Sequence, residues 1–355
     1  MSIALVRRLL AVPLIALVSA TCGGCASVSY YAQAVAGQVD VWRRAQPIER
    51  VLAAGDVPAA TRSGLERIVA LRAFARASLD LPDNGSFHAY ADLGREYVVW
   101  NVVAAPEFEL APVQSCFLLV GCLDYRGFFS QGDAERHAAE LGRLGYDTYV
   151  GGVPAYSTLG WFDDPVLNTF VAWPEFDLAE LVFHELAHQR LYVPGDTRFN
   201  ESFATAVAEI GLLAWLEKRP QERARAVAAL ERQREVTRLV LELREQLASA
   251  YAQEADAPHM RQRKAALFEA LRARHGQLAD ADDDRRYAAW MAAPWNNARV
   301  AALVTYNDLV DDFLALWHAC EGDFERFYAG AAAAAQVAHG ERLTALRRET
   351  RACDG

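Results

Sequence analysis

Apolar positions recur at three- and four-residue spacing through most of the chain, the signature of amphipathic helix. Residues 28 to 80 carry it in "YYAQAVAGQVDVW" and again in "SGLERIVALRAFARASLDL". The turn cluster "LPDNGSF" closes that part. "EYVVWNVVAA" is β-branched and aromatic and predicts a strand. "AERHAAELGRLG" predicts a helix ending at Gly145, and "YDTYVGGVPAYST" returns to strand-forming residues. From Pro220 to about Gly276 the pattern becomes charge-rich, with a break at "ADAPHM". It predicts a helical hairpin with solvated faces projecting from the body, either a structural appendage or a partner-binding arm. "DADDDRR" reads as a polar loop, without the glycine and distal glutamate of a calcium loop. Residues 287 to 350 are helical again. The fold class is therefore α+β and mainly helical, with a small sheet, a helical hairpin insertion and a helical C-terminal part.

The 355 residues suffice for one large domain or two small ones. The net charge is -10 and Lys and Arg form no separate block, which argues against a nucleic-acid partner. The N-terminus says more. Arg7 and Arg8 precede "LLAVPLIALVSA", an uncharged run too short for a comfortable membrane span. A secretory signal over 1–24 fits better than a transmembrane anchor. "TCGGCASVSYY" looks like a bacterial lipoprotein cleavage site, with Cys25 as lipid acceptor after Gly23 and Gly24. Cys22 stands where an aliphatic residue is usual, and is itself a weaker acceptor. Ala26, not Asp, follows Cys25, so the expected location is the periplasmic face of the outer membrane. An exported chain keeping Cys116, Cys122, Cys320 and Cys353 has an even number to pair. The expectation is Cys116–Cys122 and Cys320–Cys353; four buried thiols are the alternative. Chain organisation follows as signal 1–24, catalytic region 25–215, hairpin 216–276 and a C-terminal part 277–355 that completes the cleft.

The chemistry concentrates in "LVFHELAHQRLYVPGDTRFNESFA", residues 181 to 204. His184-Glu185-Leu186-Ala187-His188 is HExxH. On a helix, residues four apart lie about 5–6 Å apart on one face, so His184 and His188 can hold one cation. Zn²⁺ takes neutral imidazoles and, in catalytic sites, three protein ligands plus water. Glu185 is placed to reach that water as general base. Leu181, Val182, Phe183, Leu186 and Ala187 make the helix a buried one. Glu201 lies thirteen positions after His188. Pro194 and Gly195 stop the first helix and Asp196 or Thr197 caps the second, so Glu201 can return as third ligand. Asp196 is its rival. The metzincin pattern is excluded by Leu191 and Pro194. His88, His137, His259, His275, His318 and His339 have no partner at ligand spacing.

HExxH followed by Asn200-Glu201-x-x-Ala204 resembles the gluzincin metallopeptidases, with a shorter gap than is usual there. More closely, the chain resembles a family of bacterial proteins described as predicted aminopeptidases, many of them lipoproteins. "YYAQAVAGQ", "GCLDYRGFFS", "GGVPAYSTLGWFDDPVL", the HExxH stretch and "NNARVAALVTYNDLV" carry that resemblance over most of the mature chain. It implies a zincin-like core, a Zn²⁺ cofactor and a peptide substrate, cut by an aminopeptidase or an endopeptidase. It also implies that residues 153–160 form a strand pairing with substrate, which brings in Tyr156 and Ser157. The anchoring glutamate of large aminopeptidases is absent there; Asp163, Asp164 and Glu175 are the replacements to consider. A side chain donating to the oxyanion is expected, with Tyr306 first and Tyr156 second. A packed core tyrosine is the alternative for Tyr306. Asn296 and Asn297 read as helix caps. The rival class is a non-catalytic envelope lipoprotein binding a partner through its hairpin.

Overall fold

The computed structural model describes residues 29–117, 121–158, 161–253, 255–278 and 291–354. The signal segment, Cys22, Cys25 and the "DADDD" loop lie outside the described residues. The described residues open with helix α1 (29–44), then α2 (Ile48–Ala53) and α3 (Ala59–Ser78). Short strands follow: β1 (Gln46–Pro47) pairs antiparallel with β2 (Ala89–Ala91), and β2 runs parallel to β8 (Val166–Leu167). The main sheet is antiparallel. Its centre is β3 (Val99–Pro106), flanked by β6 (Arg126–Phe128) and β7 (Tyr146–Val153). β4 (Ser115–Phe117) and β5 (Gly121–Leu123) form a separate hairpin, closed by a Cys116–Cys122 disulfide. Helix α4 (Gln131–Arg143) joins β6 to β7, capped by the Ser130 hydroxyl, which accepts from Asp133 N at 3.3 Å. The fold is mainly helical α+β with small sheets.

The remaining elements are helices: α5 (Glu175–Arg190), α6 (Thr197–Trp215), α7 (Pro220–Tyr251), α8 (Ala257–Leu278), α9 (Asn297–Asn307), α10 (Val310–Ala319), α11 (Phe324–Ala335) and α12 (Arg342–Cys353). The largest core packs α3, α5, α6, α10 and α11 on one another. Phe183, Phe199, Phe203, Phe313 and Phe327 are fully buried in it. Their rings interlock: Phe199 lies 5.1 Å from Phe313 and Phe203 lies 6.1 Å from Phe327, between centroids. Gly211 lets α6 approach α5, since a Cβ there would come 2.6 Å from Phe183. A Cys320–Cys353 disulfide ties the end of α12 back to the end of α10. Among the described residues, no helix is long and apolar enough to cross a membrane.

Two expectations need correction. The strand predicted through residue 160 stops at Val153, and 154–158 is irregular. Pro154 has no N–H to continue a ladder. The helical hairpin, α7 with α8, does not project. It shares a second apolar cluster with α9, built from Val240, Leu247, Phe268, Val300 and Val304. Polar ties reinforce the contact. Lys264 donates to Asp147 at 2.5 Å and to the Glu107 carbonyl at 2.8 Å. Asn297 donates to the carbonyls of Pro106, Glu107 and Glu109, and its oxygen accepts from Tyr251. Asn296 is the α9 cap, accepting from Arg299 N at 3.0 Å.

Candidate active site

The turn between α5 and α6 is built by its own sequence. Leu191 is extended, and Gly195 takes φ +78°, a left-handed conformation that favours glycine. Asp196 then caps α6 by accepting from Phe199 N at 3.0 Å. Asn200 clamps the turn from inside. Its side chain accepts from Val193 N and donates to Val193 O, each at 2.8 Å. The start of β5 presses on the same turn: a Cβ on Gly121 would lie 2.8 Å from Gly195 N. The turn is therefore held from both sides, and Glu201 follows directly on Asn200.

That geometry brings three donor atoms together. His184 Nε2 is 3.1 Å from His188 Nε2 and 3.2 Å from Glu201 Oε2, and His188 Nε2 is 3.5 Å from the same oxygen. His184, His188 and Glu201 form the one group of this kind among the described residues. A tetrahedral ion with ligand bonds of about 2.0–2.1 Å has ligand-to-ligand edges of about 3.3 Å. The observed edges fit such an ion and its nitrogen-rich donor set. His184 keeps 17% of its side-chain surface exposed, which opens the group to the cleft, while His188 and Glu201 are buried. Asp196 is not part of it; its carboxylate serves the cap and pairs with Arg342.

Electrostatics follow from burial and proximity. Burial alone raises the Glu201 carboxyl, but the two imidazoles outweigh it and hold Glu201 at about 2. Burial lowers His184. For His188 burial also acts downward, and the Glu201 charge outweighs it and raises the imidazole. Glu185 is different. Burial pushes its carboxyl up to about 8, and its Oε2 has no hydrogen-bond partner. A buried polar atom without a partner is costly, and such atoms concentrate at sites of chemistry. Tyr306 on α9 stacks near His184, with ring centroids 6.3 Å apart. The Glu201 charge and burial raise its hydroxyl well above the ordinary tyrosine value, so it keeps its proton to donate.

A cleft of about 1440 Å³ opens over this group, and Tyr156, Ser157 and Tyr306 line it. Tyr156 OH donates to Gln38 on α1. The proposed replacements for an amine anchor do not line the cleft. Glu175 pairs with Arg219 at 2.7 Å and accepts from Trp215. Asp164 is buried and accepts from Thr158 N at 2.9 Å. Asp163 sits beside Gly85, and it too lies outside the cleft lining. Sequence reading missed Tyr125, a half-buried tyrosine of the lining whose hydroxyl is raised by desolvation and then by Glu201. It also missed Asp177, Glu180 and Arg234. Asp177 and Glu180 were within reach, standing two turns and one turn before His184 on its own helical face. Nothing local marks Tyr125 or Arg234.

The fold and the site thus define a mainly helical α+β protein whose metal-capable His-His-Glu group lies beside a buried, unpartnered carboxylate. A family model described as "Putative aminopeptidase" matches residues 29–346, and the chain belongs to that family. No curated protein and no solved structure gave a significant match.

Proposed function

We propose that the chain is a zinc-dependent aminopeptidase, exported and held by a lipid on Cys25 at the periplasmic face of the outer membrane. The observation that carries the peptidase reading is the donor triangle of His184, His188 and Glu201 beside the unpartnered Glu185 oxygen. Those three side chains would hold the ion. The chemistry an ion held there would supply is polarisation of a scissile carbonyl and a lowered pKa for the attacking water. Glu185 takes the proton from that water and passes it to the leaving amine. Tyr306 donates a hydrogen bond to the developing oxyanion, with Tyr125, in the bend between β5 and β6, as a second donor. Tyr156 and Ser157 border the bound peptide. Asp177 and Glu180 supply the negative charge that a free N-terminus seeks.

The cleft volume supports a second reading. At about 1440 Å³ it exceeds the roughly 300–1,000 Å³ of a small-molecule pocket, so a longer chain also fits, as an endopeptidase needs. Paired peptides with free and acetylated N-termini separate the two. An aminopeptidase cuts the free series alone. Equal cutting of both series makes it an endopeptidase, and cutting of neither by zinc-loaded protein leaves the non-catalytic lipoprotein.

A further inference from the structure

Helix α1 has two working faces. Tyr30, Ala34 and Gln38 turn toward the cleft. Tyr31, Val35 and Trp42 fall within an arc of about 40° beside them, at 100° per residue. These three are 43%, 62% and 40% exposed. Trp42 packs edge-on against Phe162, 4.7 Å between centroids, and Phe162 and its neighbour Trp161 are 50% and 62% exposed. Seven large apolar side chains are at least this exposed among the described residues, and five of them are in this stripe. Exposed apolar residues are ordinary when scattered singly; a contiguous group marks a contact surface.

We propose that this stripe seats on a lipid bilayer and sets the mouth of the cleft at the membrane surface. The inference rests on the reading of Cys25 as a lipid acceptor. Cys25 lies six residues before Tyr31. Six residues span at most about 20 Å, so an acyl chain on Cys25 enters the membrane next to the stripe. The side chains suit an interface. Trp and Tyr concentrate at the headgroup level, and the exposed Arg43 follows Trp42 where a long cation reaches headgroup phosphates. A stripe on one face of a helix makes a peripheral contact, lying in the interface rather than spanning it. Because Tyr31 belongs both to the stripe and to the cleft lining, the substrates this placement favours are peptides at or emerging from the bilayer.

The test uses full-length protein reconstituted into phosphatidylethanolamine–phosphatidylglycerol vesicles with brominated acyl chains. Tryptophan fluorescence of the wild type should be quenched. Trp42→Ser with Trp161→Ser should lose most of the quenching, and Val35→Asp, which keeps every tryptophan, should lose a large part of it. Equal quenching in wild type and Val35→Asp overturns the proposal. So does a dimer, seen by light scattering, that Val35→Asp dissociates while the wild type shows no quenching. Intact mass reports lipid on Cys25; an unlipidated mature chain overturns the proposal at its anchor. Hydrolysis of a soluble dipeptide should be unchanged in the stripe variants, so a failure of the peptidase reading shows itself separately.

Discussion

Helices α5 and α6 bury apolar side chains around most of their circumference, whereas α7 and α8 carry charge on most of theirs, yet α5, α6 and α7 all line the same cleft. In the first pair a polar group is an exception that needs a reason. His184, His188 and Glu201 face one another, and Glu185 faces the cleft. In the second pair a polar group is the rule, and most charges are solvated. Arg234 is not: it turns inward to pair with Glu209, which is buried on α6. Function is therefore easy to see where charge is rare and hidden where charge is common.

The contrast can be broken from its strongest side. Glu201→Ala removes the carboxylate that holds two imidazoles, and metal affinity should fall by more than about 100-fold, beyond the cost of losing an outer partner. Zinc titration with a competing chelator reads this, and an affinity within a few-fold of wild type would remove Glu201 from the ligand set. Tyr306→Phe keeps the ring and loses the donor. It should lower kcat by about 10²–10³ with KM nearly unchanged. A rise in KM alone would make Tyr306 a binding residue.

Asp164 tests whether buried charge in the apolar half is costly when it is hydrogen-bonded. Burial pushes its carboxyl up to about 6, above the ordinary 3.8. A carboxyl raised on folding contributes stability that is complete below pH about 4 and is lost as pH rises through about 6. Asp164→Asn keeps an oxygen for Thr158 N and removes that loss. The variant should gain up to about 3 kcal/mol on wild type between pH 3.5 and 8, read by denaturant unfolding. A pH-independent difference would mean that Asp164 ionises freely.

The smallest effect belongs to the charged helices. Arg234→Ala leaves Glu209 buried without its partner. It should cost about 1–2 kcal/mol, less than a fully buried pair because Arg234 is 40% exposed. Arg274→Ala breaks an exposed pair with Glu242 and should cost under about 1 kcal/mol. Equal costs would erase the distinction between inward and outward charge on the hairpin.

These residues also show what a sequence can reveal. HExxH, the Pro194-Gly195 break and Glu201 are close in the chain, and helical periodicity alone gives their relative placement. The elements of the body were legible for the same reason, since apolar spacing is a local signal. The hairpin's position was not. Its docking depends on Asn297, Lys264 and Asp147, which are far apart in sequence and polar in type. The substrate strand was overextended because β-prone residues continue past Val153, while Pro154 ends the ladder. Tyr125 reaches the cleft from the strand hairpin region, and no spacing rule connects it to α5.

The most direct measurement is zinc stoichiometry together with peptide hydrolysis, in wild type and in Glu185→Gln. One zinc per chain is expected in both proteins. Hydrolysis should fall by about 10²–10⁴ in the variant, the usual worth of a general base. Full activity in Glu185→Gln, or a wild type that hydrolyses peptides equally well without metal, would contradict it.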